Sequence, residues 1–301
     1  MKRRSALSRL GFLGTLAISP SLLSFSMDSI LKRNIGSTGE QLPCVGLGTW
    51  QTFDVGTNEA ERKALREVLT GLVNGGATVI DSSPMYGTSE AVVGDLSDDL
   101  KLNDKLFIAT KVWTSGRQAG IEQMENSFKL LRRKKIDLMQ VHNLVDWQIH
   151  LKTLREWKEE GKIRYIGLTH YSDSVHETLR TIIDKTPIDF IQINYSMNSR
   201  NAEKSLLPAA RDKGVAVLIN RPFDEGALFQ KVKGKPLPGY AAEFDCTSWG
   251  SFFLKYILAH QAVTCVIPGT SKIRHLQDNL SAGVGKLPDS SHLKKMLAEV
   301  A

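Results

Sequence analysis

From residue 44 onward the chain alternates short, nearly uninterrupted apolar runs with longer amphipathic stretches. The runs are CVGLG (44–48), ATVIDSS (77–83), LFIATKV (106–112), IDLMQVH (136–142), IRYIGLT (163–169), DFIQINY (189–195), VAVLIN (215–220) and VTCVIP (263–268). Their length and β-branched content predict strands buried on both faces. Between them apolar residues recur at helical spacing. Over 58–74, Ala60, Leu65, Val68, Leu69 and Leu72 share one face. Similar stretches cover 88–100, 117–133, 147–160, 172–184, 201–213, 247–260 and 272–282. Ahead of all this, LKRNI and QLPCV flank GSTGE, whose Gly36 and Gly39 suit the turn of a short β-hairpin.

Eight strands alternating with eight helices predict a parallel sheet covered by helices, and that count favours closure. The predicted fold is an α/β (β/α)8 TIM barrel preceded by a short N-terminal β-hairpin. An open doubly wound sheet for a dinucleotide would carry GxGxxG after its first strand, and none is present. No linker or repeat divides the body, so residues 27–301 are read as one domain. Residues 223–245 form a long Gly- and Pro-bearing loop suited to closing over a ligand. After Gly285 the sequence reads as a short polar tail that leaves a pocket open.

Charge changes the picture at one end. The 301 residues carry 39 Lys+Arg against 32 Asp+Glu, a net +7. Residues 1–26 hold Lys2, Arg3, Arg4 and Arg9 and no acid, which is +4 and leaves 7 − 4 = +3 for the rest. No basic stripe remains to bind nucleic acid; Arg132-Arg133-Lys134-Lys135 follows a helix, where cations suit the dipole. A basic start followed by the apolar stretch 10–25 reads as a targeting segment over 1–26. Twin Arg3-Arg4 resembles a twin-arginine signal, which predicts export, to the periplasm, through that machinery. Cys44, Cys246 and Cys265 are too few and too scattered for a disulfide framework or a CxxC site, and the seven histidines show no HxH or HExxH spacing; no metal site is predicted.

Polar residues collect at the strand ends. Asp81 ends the second run ahead of Pro84-Met85-Tyr86-Gly87, Lys111 nears the end of the third and His142 ends the fourth. Thr169-His170 follow the fifth, and Gln192 and Asn194 sit late in the sixth. In a barrel these ends converge on one mouth, where active sites lie. A lone group of this kind reads as structural; several on successive strand ends read as a site.

The string D-S-S-P-M-Y-G with S-E after it (Asp81 to Glu90), A-T-K-V (Ala109 to Val112) and Q-V-H-N (Gln140 to Asn143) resemble the aldo-keto reductase superfamily. So do V-G-L-G-T-W (Val45 to Trp50) and I-P-G-T-S-K with D-N-L (Ile267 to Leu280), all in order over residues 30 to 283. The resemblance implies NAD(P)H-dependent reduction of an aldehyde or ketone by a tetrad of Asp81, Tyr86, Lys111 and His142. Tyr86 would donate the proton. A free phenol titrates near ~10, and an ammonium such as Lys111 would lower that value. Asp81 would hold Lys111 in place, and His142 would hydrogen-bond the carbonyl oxygen. A non-catalytic cofactor-sensing or partner subunit on the same barrel is the alternative.

For the cofactor, the resemblance assigns contacts to Gly48, Thr49, Trp50 and Asp81, with Thr169, His170 and Gln192 at the carboxamide. His170 stands where the family has Asn. The aromatic that stacks on the nicotinamide in the family falls here on Asn220, followed by Arg221 and Pro222, with Tyr195 a candidate substitute. Gly269, Thr270, Ser271 and Lys272 offer amides, hydroxyls and a charge to phosphate at the start of a helix. Asp278 and Asn279 match the adenine-contacting pair. His275 replaces the Arg that reads the 2′-phosphate, with Lys272 and Arg274 near enough to take that task, so NADP(H) is preferred over NAD(H). Trp50, Tyr86, Trp113 and His142 would line an apolar substrate pocket in a monomer or weak oligomer.

Overall fold

Strands that are apolar on both faces need cover on both sides, and a sheet that curls round on itself with helices outside supplies it. A computed structural model of the chain describes residues 29–36 and 38–301; the targeting segment read over 1–26 lies outside them. Strands β1 (Lys32–Asn34) and β2 (Gln41–Pro43) form the antiparallel hairpin, with Arg33 opposite Leu42. Eight strands follow: β3 (Leu47–Gly48), β4 (Val79–Asp81), β5 (Phe107–Val112), β6 (Ile136–His142), β7 (Ile163–Thr169), β8 (Phe190–Asn194), β9 (Ala216–Asn220) and β10 (Cys265–Val266). They pair in chain order as one parallel sheet.

Bridges Val45–Val266 and Gly48–Gly269 bring the first edge round to the last. There the Gly46 N–H donates to Val266 O at 2.8 Å, and the Val266 N–H donates to Cys44 O at 2.9 Å. A Cβ on Gly48 would stand 2.7 Å from Ile267 O, so only glycine allows this approach.

The barrel interior is layered. Phe107, Tyr165 and Phe190 fill its lower part together with Ile35 and Leu42 of the hairpin. Tyr165 donates to Glu40 at 2.6 Å, and Arg164 bridges Glu40 to Asp137, so the hairpin plugs the N-terminal end. A second apolar cluster lies between the sheet and the helices. These are α1 (Glu59–Asn74), α2 (Ser89–Asp99), α3 (Arg117–Leu130), α4 (Trp147–Glu159), α5 (His176–Lys185), α6 (Leu206–Lys213), α7 (Ala227–Lys231), α8 (Trp249–Leu258), α9 (Ile273–Ser281) and α10 (Ser290–Glu299).

Two predicted helices begin later than the periodicity suggested. The stretch from 172 opens as a 3-10 turn, and the stretch from 201 becomes α-helical only at Leu206, which puts Pro208 in the first turn where its missing N–H costs nothing. The long loop 223–245 contains α7 and a 3-10 turn over Gly239–Phe244. Phe223, Phe229 and Phe253 pack together there, with Phe229 5.0 Å from Phe223 and 5.3 Å from Phe253. The C-terminal segment read as a polar tail is instead the helix α10. Asp289 caps it by accepting from the Ser291 and His292 N–H groups, and Met296 and Val300 are buried.

Candidate active site

The period of two along each strand carries the interior from apolar to polar. Phe107 and Ala109 belong to the inner cluster, and two residues further on is Lys111; Leu138 is followed in the same way by Gln140 and His142. The strand ends open into a cleft of about 660 Å³ walled by Gly48, Thr49, Trp50, Asp81, Tyr86, His142, Thr169, Gln192, Asn220, Arg221, Pro222 and Gly269, among others.

Lys111 lies beneath this cleft, fully buried. Its ammonium donates to Asp81 Oδ2 at 2.7 Å and to Ser82 O at 2.7 Å, and it sits 4.8 Å from the centroid of the Tyr86 ring. The other carboxylate oxygen, Asp81 Oδ1, accepts from Gln192 Nε2 at 2.7 Å and Gln140 Nε2 at 3.2 Å. Asp81 is therefore held from three strands. Gly167 on β7 makes room for one of those braces, since a Cβ there would stand 2.8 Å from Gln140 Cγ. His142 meets the Tyr86 ring edge-on, 5.8 Å between centroids, and its Nδ1 lies 3.0 Å from Ser83 Oγ.

Burial and charge oppose one another in this cluster. Burial pushes the Tyr86 phenol above its ordinary pKa, and the charge of Lys111 only partly offsets this. The lowered phenol expected from the sequence is thus corrected: Lys111 acts in the expected direction, but desolvation is the larger effect. Burial would strip Lys111 of its proton, but Asp81 and Tyr86 more than compensate and its pKa is raised. Burial and then the Lys111 charge lower His142 to about 2, so its imidazole is neutral at any ordinary pH.

The remaining candidates divide by position. Thr169 donates to Gln192 Oε1 at 3.0 Å, which occupies both ends of that amide in the wall. His170 is off the cleft, accepting from the Ser172 N–H and stacked on Tyr171. Asn220 donates to His170 O at 3.3 Å, and its Oδ1 is buried with no partner. Arg221 stacks over the Tyr171 ring at 4.3 Å and pairs with Glu225 at 2.9 Å. Tyr195 is corrected as a stacking candidate: it is buried in the outer cluster and donates to Glu203 at 2.7 Å.

Thr270, Ser271, Lys272, Arg274, His275, Asp278 and Asn279 lie along the start and length of α9, outside the cleft wall. Thr270 Oγ1 accepts from the Lys272 N–H, and Asp278 accepts from Ser248 Oγ at 2.5 Å. Lys272, Arg274 and His275 are exposed and enter no ion pair found among the described residues. Trp113 is 42% exposed, its ring 6.4 Å from that of His142. Trp50, Met85, Tyr171 and Phe229 are the exposed large apolar residues of the cleft wall itself. Sequence reasoning missed Met85 and Tyr171, which sit in turns beyond the strand ends, and Phe229, which the short helix α7 carries to the cleft. Adjacency to Tyr86 and His170 could have flagged Met85 and Tyr171, and membership of the long segment 223–245 could have flagged Phe229.

A (β/α)8 barrel with a buried Lys–Asp pair beneath a tyrosine and a neutral histidine has the donors that carbonyl chemistry requires. The chain belongs to the aldo/keto reductase family of enzymes, whose model matches residues 44–294. It is 31% identical over 227 residues to Aldo-keto reductase YhdN of Bacillus subtilis (strain 168), spanning 70% of this chain and 66%, just under two thirds, of that relative. It is 27% identical over 245 residues to Methylglyoxal reductase YeaE of Escherichia coli (strain K12), 79% of this chain and 84% of the relative. Its fold is similar to the crystal structure of an aldo-keto reductase from Klebsiella pneumoniae in complex with NADPH, with a TM-score of 0.74 at 22% identity, covering 91% of this chain and 95% of that one.

Proposed function

We propose that this chain transfers a hydride from NADPH to an aldehyde or ketone, with Tyr86 supplying the proton. The observation that carries the reading is the fully buried Lys111 ammonium, 2.7 Å from Asp81 and 4.8 Å from the Tyr86 ring centre at the floor of the cleft. A carbonyl seated against Tyr86 and His142 meets two neutral donors. As negative charge develops on its oxygen, the Lys111 charge favours release of the phenolic proton to it. Asp81 keeps Lys111 charged, and Gln140 and Gln192 keep Asp81 in place. NADP(H), when bound, supplies the hydride. The wall offers it the orphaned Asn220 Oδ1, and the unpaired cations Lys272 and Arg274 at the start of α9 suit a third phosphate and so favour NADP(H) over NAD(H).

The test is Tyr86→Phe. NADPH should still bind, read by its fluorescence and more tightly than NADH, while carbonyl reduction falls at least ~10²-fold. Undiminished turnover in this variant overturns the mechanism. NADPH binding with no oxidation by any carbonyl panel in the native chain would leave a sensing subunit as the better description. We further infer that residues 1–26 direct export of the folded protein, on the Arg3-Arg4 pair and the apolar stretch after it.

A further inference from the structure

We propose that Ser83 is a positioning residue that fixes the tautomer of His142, so that Nε2–H faces the cleft. The inference rests on the reading of His142 as a donor to the carbonyl oxygen, and it follows from counting hydrogens.

Ser83 is fully buried, and its Oγ has two partners, His142 Nδ1 at 3.0 Å and the Met85 N–H at 3.3 Å. A hydroxyl has one hydrogen to give and two lone pairs to accept with. The Met85 N–H can only donate, so it takes a lone pair. If His142 carried its proton on Nδ1, Ser83 would accept twice. Its own hydrogen would then point at nothing, since no third partner is found among the described residues. A buried donor left unmade is costly. If Ser83 donates to Nδ1 instead, all three groups are satisfied and the imidazole proton must reside on Nε2. His142 lines the cleft, and Nε2 has no partner among the described residues. The arrangement therefore aims a neutral N–H into the space where a substrate oxygen would sit.

The same short segment sets the neighbouring groups. Ser82 O holds Lys111, and the Tyr86 N–H donates to Ser83 O at 3.0 Å, closing the turn that presents the phenol. The Tyr86 ring 5.8 Å away and the Trp113 ring 6.4 Å away bracket the imidazole. Rotating it by half a turn would replace Nδ1 by carbon opposite Ser83.

The test is imidazole nitrogen NMR on the full chain labelled with 15N-histidine, with His142 assigned by loss of its signals in His142→Gln. The native protein should show Nε2 protonated and Nδ1 bare. In Ser83→Ala the two resonances should move toward a mixed average, and turnover should fall roughly tenfold at unchanged KM for NADPH. Ser83→Thr, which keeps the hydroxyl, should restore both. A Ser83→Ala protein that keeps the native nitrogen pattern overturns the proposal, as does a native protein already protonated on Nδ1. If the nitrogens shift as stated but His142→Gln retains full turnover, the placement of Ser83 stands and the donor role of His142 fails.

Discussion

Two side chains set the acid–base behaviour of the cleft, and they work against simple intuition. Tyr86 is raised by burial despite Lys111, so it keeps its proton throughout the neutral range, which is the state a proton donor must start from. His142, held near 2, carries no charge that could titrate. The pH profile of carbonyl reduction should therefore show no inflection near the ordinary histidine value of ~6.5 and no loss until the pH passes the ordinary phenol value of ~10. An inflection between pH 5 and 8 that disappears in His142→Gln would contradict this. Lys111→Met removes the group that does most to pull the phenol down, ahead of the more weakly acting Arg221. It should push the Tyr86 pKa further up and lower turnover by about 10²–10⁴-fold while NADPH fluorescence persists. Retained turnover in that variant would mean that Tyr86 needs no help from Lys111.

Among the elements, the seam between β3 and β10 is the place where one atom decides the geometry. Gly48 approaches Ile267 O so closely that an alanine Cβ would stand 2.7 Å away, and Gly48 also walls the cleft. Gly48→Ala should destabilise the barrel by about 1–3 kcal/mol, lowering the melting temperature by several degrees. Gly239→Ala, whose Cβ would meet nothing within 4 Å, is the matched control. Equal melting temperatures would show that the seam gives freely. The strands themselves were legible because both of their faces are buried, which writes a continuous apolar run; the site was legible where its groups end those runs, at Asp81, Lys111 and His142. Helix α10 was not, although Leu293, Met296, Leu297 and Val300 recur at helical spacing: its one apolar face is short and is interrupted by Lys294, Lys295 and Glu299 in a segment rich in polar residues. Met85 and Tyr171 were not, because they reach the cleft from turns, and Phe229 was not, because a turn sets the short helix α7 that carries it. Among the residues of those turns, Arg221, Asp224 and Glu225 all adopt positive φ, which no hydrophobic period encodes.

At the scale of the molecule, positive charge is unevenly distributed along the chain. Four of the net seven positive charges lie in residues 1–26. Of the barrel's cations, Lys111 sits beneath the cleft, Arg221 walls it, and Lys272 and Arg274 stand unpaired at the start of α9. A dinucleotide is scarce outside the cytoplasm, so an exported reductase works best if it leaves folded with the cofactor already bound. The twin-arginine route serves folded cargo, and that is the route we propose from Arg3-Arg4. Exchanging Arg3→Lys together with Arg4→Lys keeps the charge and removes the guanidinium pair. On this reading the double variant should stay in the cytoplasm while the native protein is found in the exported fraction, carrying NADP(H) through purification. Export of both forms alike would assign residues 1–26 to a route that reads charge alone. A native protein recovered from the exported fraction without cofactor would break the link between the address and the barrel.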